Sequence, residues 1–155
     1  MKKLSLLLLV ITITASSFAN SNKGITTVKK VTTDEIVTSL KIYKNVAVVL
    51  TNDETNEIQI VGEKANVDNI SIKVSKGEMT ITGNTDGLAE ENVVVYVPAK
   101  TLAGIYIHGS STISSLGLIN NDLLDVTING EGRSTIQSAG RINLNTIGDF
   151  PLEAF

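Results

Sequence analysis

Between Leu102 and Gly148 one short pattern comes round three times: an apolar position, a gap, a second apolar position, a gap, then glycine. It runs through Ile105, Ile107 and Gly109, then Val126, Ile128 and Gly130, then Leu144, Thr146 and Gly148. The glycines are 21 and then 18 residues apart. A period of about 20 residues built from strand-like pieces points to stacked β coils, each covering the apolar face of the next. The glycines Gly109, Gly130 and Gly148 are expected at corners, where a positive φ or close stacking of coils excludes a Cβ. A second element follows the first two glycines: Ser111, Thr112 and Ile113 recur as Ser134, Thr135 and Ile136. These hydroxyl rows are expected to form ladders between neighbouring coils.

The rest of the chain reads as strands too. Residues 25–31 are β-branched and weakly alternating, a first strand or a loose arm. In residues 36–43 the apolar phase places Ile36, Thr38, Leu40 and Ile42 on one face. Lys44 and Asn45 mark a turn, so residues 45–51 are expected to be the antiparallel partner of that strand. A polar cluster at 52–56 leads to a strand through Ile58 and Ile60, and residues 63–69 suit a short helical turn. Strands at 70–75 and 78–82 flank Lys76 and Gly77, a tight-hairpin signal. Residues 83–91 read as an exposed loop. The unbroken run Val93 to Val97 predicts burial on both faces before Pro98 ends the strand. Apart from the N-terminus, no stretch of ten residues has a helical period. The expected fold is all-β: antiparallel strand pairs leading into a right-handed parallel β-helix-like stack of short glycine-marked repeats.

The first 19 residues have the layout of a secretory signal. Lys2 and Lys3 precede an apolar run from Leu4 to Ile13, with Ser17 and Ala19 placed for cleavage. The run is too short to span a bilayer. Export to the periplasm, the outer-membrane surface or the medium is therefore expected, with no transmembrane segment after cleavage. The expected organisation is residues 20–35 as an arm or first strand, 36–149 as one β domain with its repeat zone at 102–148, and 150–155 as a tail. Losing two lysines takes the formal net charge from −3 to −5, and no dense basic stretch remains. A phosphate-neutralising surface for nucleic acid is thus not expected. With no cysteine, disulfides, thiol nucleophiles and zinc–thiolate sites are excluded.

Catalytic chemistry finds little support. His108 is the only histidine and has no evident Ser or Cys partner, so it is read as an ordinary surface side chain. The acids of the repeat zone, Asp122, Asp125, Glu131 and Asp149, do not fall at corresponding positions of adjacent repeats, as a glycosidase carboxylate pair would require. No calcium loop or other metal motif is present in the pattern, and no cofactor is expected. The candidate ligand-binding residues are Tyr96 and Tyr106, on consecutive strands. If adjacent and exposed, they could stack on a sugar ring; otherwise they cover the junction between the sheet half and the repeat half.

The region from Ile36 to Asp149 resembles the family known as putative auto-transporter adhesin, head GIN domain. The resemblance rests on IVTSLKIY with KNVAVVLT, then EIQIVG, ISIKVSKGEMTITG, NVVVYVPAKTLAGIYIHGSSTI and the closing DVTINGEGRSTI. It implies an exported, β-rich domain of bacterial cell envelopes with a parallel β-helix-like half. Relatives usually carry further glycine-marked repeats. The expected function is a non-catalytic surface interaction or adhesion module, with an envelope or host glycan or protein as partner. Two alternatives stand beside it: a structural envelope protein that self-associates through its C-terminal β edge, and a polysaccharide-active enzyme.

Overall fold

A computed structural model describes residues 11–15 (as backbone), 26–83 and 93–147. The fold is all-β. Among the described residues there are thirteen strands, arranged in two mixed sheets, and one five-residue helix. In chain order the strands are β1 (Ile11–Ala15), β2 (Thr26–Thr32), β3 (Ser39–Tyr43), β4 (Ala47–Thr51), β5 (Glu57–Glu63), β6 (Ser71–Ser75), β7 (Glu78–Thr82), β8 (Val93–Pro98), β9 (Gly104–His108), β10 (Thr112–Ile119), β11 (Leu123–Asn129), β12 (Arg133–Ser138) and β13 (Arg141–Ile147), with α1 (Lys64–Asp68) after β5. The larger sheet has the order β1-β2-β5-β8-β4-β10-β12, and the smaller β13-β11-β9-β3-β7-β6.

From β8 onward the chain alternates between the sheets, and its strands add in parallel: β4, β8, β10 and β12 in the larger, β3, β7, β9, β11 and β13 in the smaller. Antiparallel pairs occupy the other flanks, β1–β2, β2–β5 and β5–β8 in one sheet and β6–β7 in the other. Strand alternation puts one face of each sheet inward. Across the smaller sheet the inward residues form two columns. Met79, Leu40, Ile105, Val126 and Leu144 make the first; Ile81, Ile42, Ile107, Ile128 and Thr146 make the second. Apart from Leu144 and Thr146, which are exposed, they meet Val48, Leu50, Ile58, Ile60, Val95, Val97, Ile113 and Ile119 from the larger sheet in one continuous core.

At the end of these columns the chain turns a corner. Gly109 and Gly130 take φ of +92° and +117°, and the equivalent corner after β3 is Lys44, at φ +66°. Gly83 follows β7 in the same place. Five rungs therefore exist where the glycine pattern displays three, because one corner carries lysine and another belongs to a strand early in the sequence. The left-handed conformation costs a non-glycine L-residue about 1–2 kcal/mol, and glycine's extra freedom when unfolded offsets about 0.5–1. Lys44→Gly is accordingly expected to raise stability by up to about 1 kcal/mol, read as a later urea midpoint.

Several expectations are corrected here. Residues 45–51 are not the antiparallel partner of β3: β3 and β4 lie in different sheets. Lys44 carries the chain around an edge rather than back on itself, and Val46 is buried beside the corner. Ile36 is 67% exposed and Val37 is buried instead, because the strand phase begins only at Ser39. Val93 to Val97 is buried on one face only; Val94 and Tyr96 are half exposed. The Ser-Thr-Ile repeats are two residues out of register: Ile113 faces Ser134, and Ser114 faces Thr135. A bulge in β10 between Ser114 and Leu118, with Gly117 at φ +78°, then widens the displacement to four residues, so that Leu118 faces Gln137. Ser111 instead joins two corners, donating its hydroxyl to the Lys44 carbonyl.

Other elements fall where the pattern placed them. Residues 25–31 correspond to β2, paired over seven positions with β5. Lys76 and Gly77, both with positive φ, close the β6–β7 hairpin. Of the proposed signal, Ile11–Ala15 lies antiparallel to β2; its remaining residues lie outside the described residues, as do 84–92, Gly148, Asp149 and the tail at 150–155.

Candidate functional site

Because adjacent strands of the smaller sheet are in strict register, its outward side chains also form rows. One row, immediately before the corners, runs Ser71, Thr82, Tyr43, His108, Asn129 and Ile147. The next runs Lys73, Thr80, Lys41, Tyr106, Thr127 and Asn145, and a third runs Ser75, Glu78, Ser39, Gly104, Asp125 and Asn143. Rings occupy the centre of this face. Tyr43 lies 6.4 Å from Tyr106 and 5.8 Å from His108, centroid to centroid; Tyr106 and His108 are 6.4 Å apart and within 10° of parallel.

The polar groups around the rings are held in place by one another. Asn129 donates its amide to the Tyr106 hydroxyl at 3.0 Å, and Asn143 donates to the Asp125 carboxylate at 2.8 Å. Lys41 and Glu78 form an ion pair at 2.9 Å. The hydrogen bond and charge of Glu78 hold the Lys41 ammonium pKa above its usual value. Such an exposed pair adds little stability, but it cancels charge beside the rings. Gly104 interrupts the third row, and a Cβ built there meets nothing within 4 Å.

Tyr96 and Tyr106 do not adjoin. Tyr96 lies on the outer face of the larger sheet, between Gln59 and Val49, whereas Tyr106 lies on the smaller. From β8 onward consecutive strands alternate sheets, so proximity in sequence separates them. The structure brings Tyr106 instead to Tyr43 and His108. The signal for this grouping was in the sequence: Tyr43, His108 and Asn129 each directly precede a corner residue. Asp122 and Glu131 sit in the turns at opposite ends of β11, with Asp125 on its outer face, so these carboxylates form no pair. Among the described residues, no three His, Cys, Asp or Glu side chains gather as a metal site. A cavity of about 70 Å³ lined by Thr33, Asp53, Met79 and Lys100 is well below the volume of a typical small-molecule pocket. No described helix is long and apolar enough to cross a membrane.

These features define an all-β domain whose chemically distinctive face is a set of rings on one sheet. The chain belongs to the family described as putative auto-transporter adhesin, head GIN domain, which matches residues 37–152. Its fold is similar to that of solved structures of putative adhesins. That from Parabacteroides distasonis has a TM-score of 0.57 at 14% identity, over 79% of this chain and 57% of the other. That from Bacteroides fragilis gives 0.55 at 14%, over 80% and 62%, and that from Parabacteroides merdae 0.50 at 14%, over 78% and 55%. The chain thus spans less than two thirds of each of these structures. No protein of curated function matches it.

Proposed function

We propose that this chain is an exported, non-catalytic interaction module of the bacterial cell surface, and that it meets its partner with the outer face of the smaller sheet. The observation that carries the reading is the Tyr43–Tyr106–His108 cluster. Two half-buried tyrosine rings beside the exposed His108 ring on an outward face form an amphipathic patch suited to recognition. The adhesin description of the family supports the same reading, as it does a surface or exported location. A right-handed parallel β-helix-like stack is the scaffold we infer. The alternation of β9, β10, β11, β12 and β13 between sheets supports it, and parallel crossovers are right-handed almost without exception.

The test is binding of signal-free protein to an array of glycans and matrix proteins, displayed both singly and as an artificial multimer, since multivalency rescues weak contacts. Ring contacts are worth about 0.5–1.5 kcal/mol each. Tyr43→Ala, Tyr106→Ala and His108→Ala combined are therefore expected to weaken binding on the order of a hundredfold, with an unchanged circular dichroism spectrum. Unaltered binding by that variant would overturn this choice of face. A second reading, self-association through the β13 edge, is favoured by Leu144 and Ile147, which are 59% and 48% exposed. It predicts a mass that rises with concentration in sedimentation equilibrium.

A further inference from the structure

The third outward row of the smaller sheet has a gap where Gly104 stands. On either side the register places Ser39 and Asp125, with Glu78 and Asn143 beyond them. Tyr106, the next outward residue of β9, bounds the gap on one side, and Leu123, 44% exposed and the outward residue before Asp125, flanks the other. Gly104 has no positive φ, and nothing lies within 4 Å of a Cβ added to it. Neither backbone conformation nor packing therefore requires glycine at this position, the first residue of β9, and its missing side chain leaves the row open between Ser39 and Asp125.

We propose that the notch above Gly104 seats one residue of a neutral pyranose glycan, with the chain continuing over the Tyr43–Tyr106–His108 rings. The inference rests on the interaction-module reading and adds the ligand class and its seat. A pyranose presents an apolar C–H face and a rim of hydroxyls. Tyr106 and Leu123 supply the apolar contacts, while the paired Asp125 carboxylate and Asn143 amide present an acceptor and a donor side by side for vicinal hydroxyls. Charge selects against acidic sugars. The Lys41 ammonium is committed to Glu78 at 2.9 Å, and the acid nearest the seat, Asp125, would repel a uronate. An extended peptide fits less well, because the main-chain groups of this central strand are already used in the ladders to β3 and β11 and offer no β-augmentation.

The decisive variant is Gly104→Leu, which fills the notch without adding a hydrogen-bonding group or a ring. It is expected to leave the urea midpoint unchanged or slightly higher. Titration calorimetry of signal-free protein would use three probes: β-1,4-linked glucose hexaose, β-1,4-linked N-acetylglucosamine hexaose and galacturonate hexaose. Binding of a neutral hexaose, weakened at least tenfold by Gly104→Leu and severalfold by Asp125→Asn, supports the proposal. A neutral hexaose bound equally by Gly104→Leu overturns the seat. Preference for the galacturonate hexaose overturns the ligand class. Silence with all three probes, alongside capture of a matrix protein that the triple ring variant abolishes, overturns the glycan inference while leaving the interaction face standing.

Discussion

Replacing Gly130 with alanine is expected to lower the stability of the fold by about 3 kcal/mol, a cost two effects reach together. Gly130 has φ of +117°, outside the regions an L-residue occupies readily; holding a side chain there costs of order 1–3 kcal/mol. The added Cβ would also stand 2.9 Å from both the amide nitrogen and the carbonyl oxygen of Gly109, and 3.0 Å from its Cα. Those are backbone atoms of the adjacent rung, and the Gly109 amide is tied to the Asn129 carbonyl at 3.0 Å. No side chain can rotate away to make room, so the two rungs must part. For a domain of this size the loss corresponds to a fall in Tm of roughly 10 °C. The control is Gly104→Ala, where the Cβ enters open space and stability should hold within about 0.5 kcal/mol. Equal urea midpoints for the two alanine variants would show that the corner does not depend on stacked glycines.

The same corners decide how much of this fold can be read from the sequence. Where a rung ends in glycine, apolar alternation and the need for positive φ coincide, so β9 and β11 are legible down to the buried Ile105, Ile107, Val126 and Ile128. The rung of β3 is hidden by Lys44. A lysine followed by asparagine looks like a hairpin turn, because a hairpin and a corner draw on the same left-handed conformations. Local sequence cannot tell whether the chain then reverses in its own sheet or crosses to the other. The rung of β7 is hidden for another reason. It stacks on β3, so spatial order β7, β3, β9 departs from chain order, and a search along the sequence meets the rungs in the wrong succession.

The ring cluster was missed through the same error. Tyr43 and His108 occupy one outward row only if Leu40, Ile42 and Lys44 count as a rung; with β3 read as half of a hairpin, Tyr43 has no defined neighbour across the sheet. Pairing Tyr96 with Tyr106 assumed that consecutive strands lie side by side, which fails in a chain that changes sheet at nearly every turn from β8 onward. The bulge in β10 was illegible because Gly117 resembles the repeat glycines, although it has no stacking partner within 4 Å of an added Cβ.

Asn121→Asp is expected to be about as damaging as the Gly130 variant, by a different route. Asn121 lies in the turn between β10 and β11, only 6% exposed. Its amide nitrogen donates to the carbonyls of Ala99 at 2.8 Å and Leu102 at 2.6 Å, joining this turn to the one between β8 and β9. Its Oδ1 is buried without a hydrogen-bond partner. Aspartate preserves the shape, removes both donors and aims a carboxylate at two carbonyl oxygens. The Ala99 carbonyl keeps the Leu102 amide as a donor at 3.0 Å, but leaving the Leu102 carbonyl unpaired costs about 1–3 kcal/mol, and the buried charge adds to it. Protonation relieves the repulsion and restores one donor, so the folded-state pKa of the introduced carboxyl rises above its unfolded value of about 3.9. The native state then binds the extra proton in the window above that value, and stability falls as pH rises through it. Urea midpoints measured from pH 4 to 8 should therefore separate the variant from the parent progressively, with the smallest gap at the acid end. A gap that stays constant with pH would mean that the carboxylate escapes to solvent and that the turn is not pinned by this side chain.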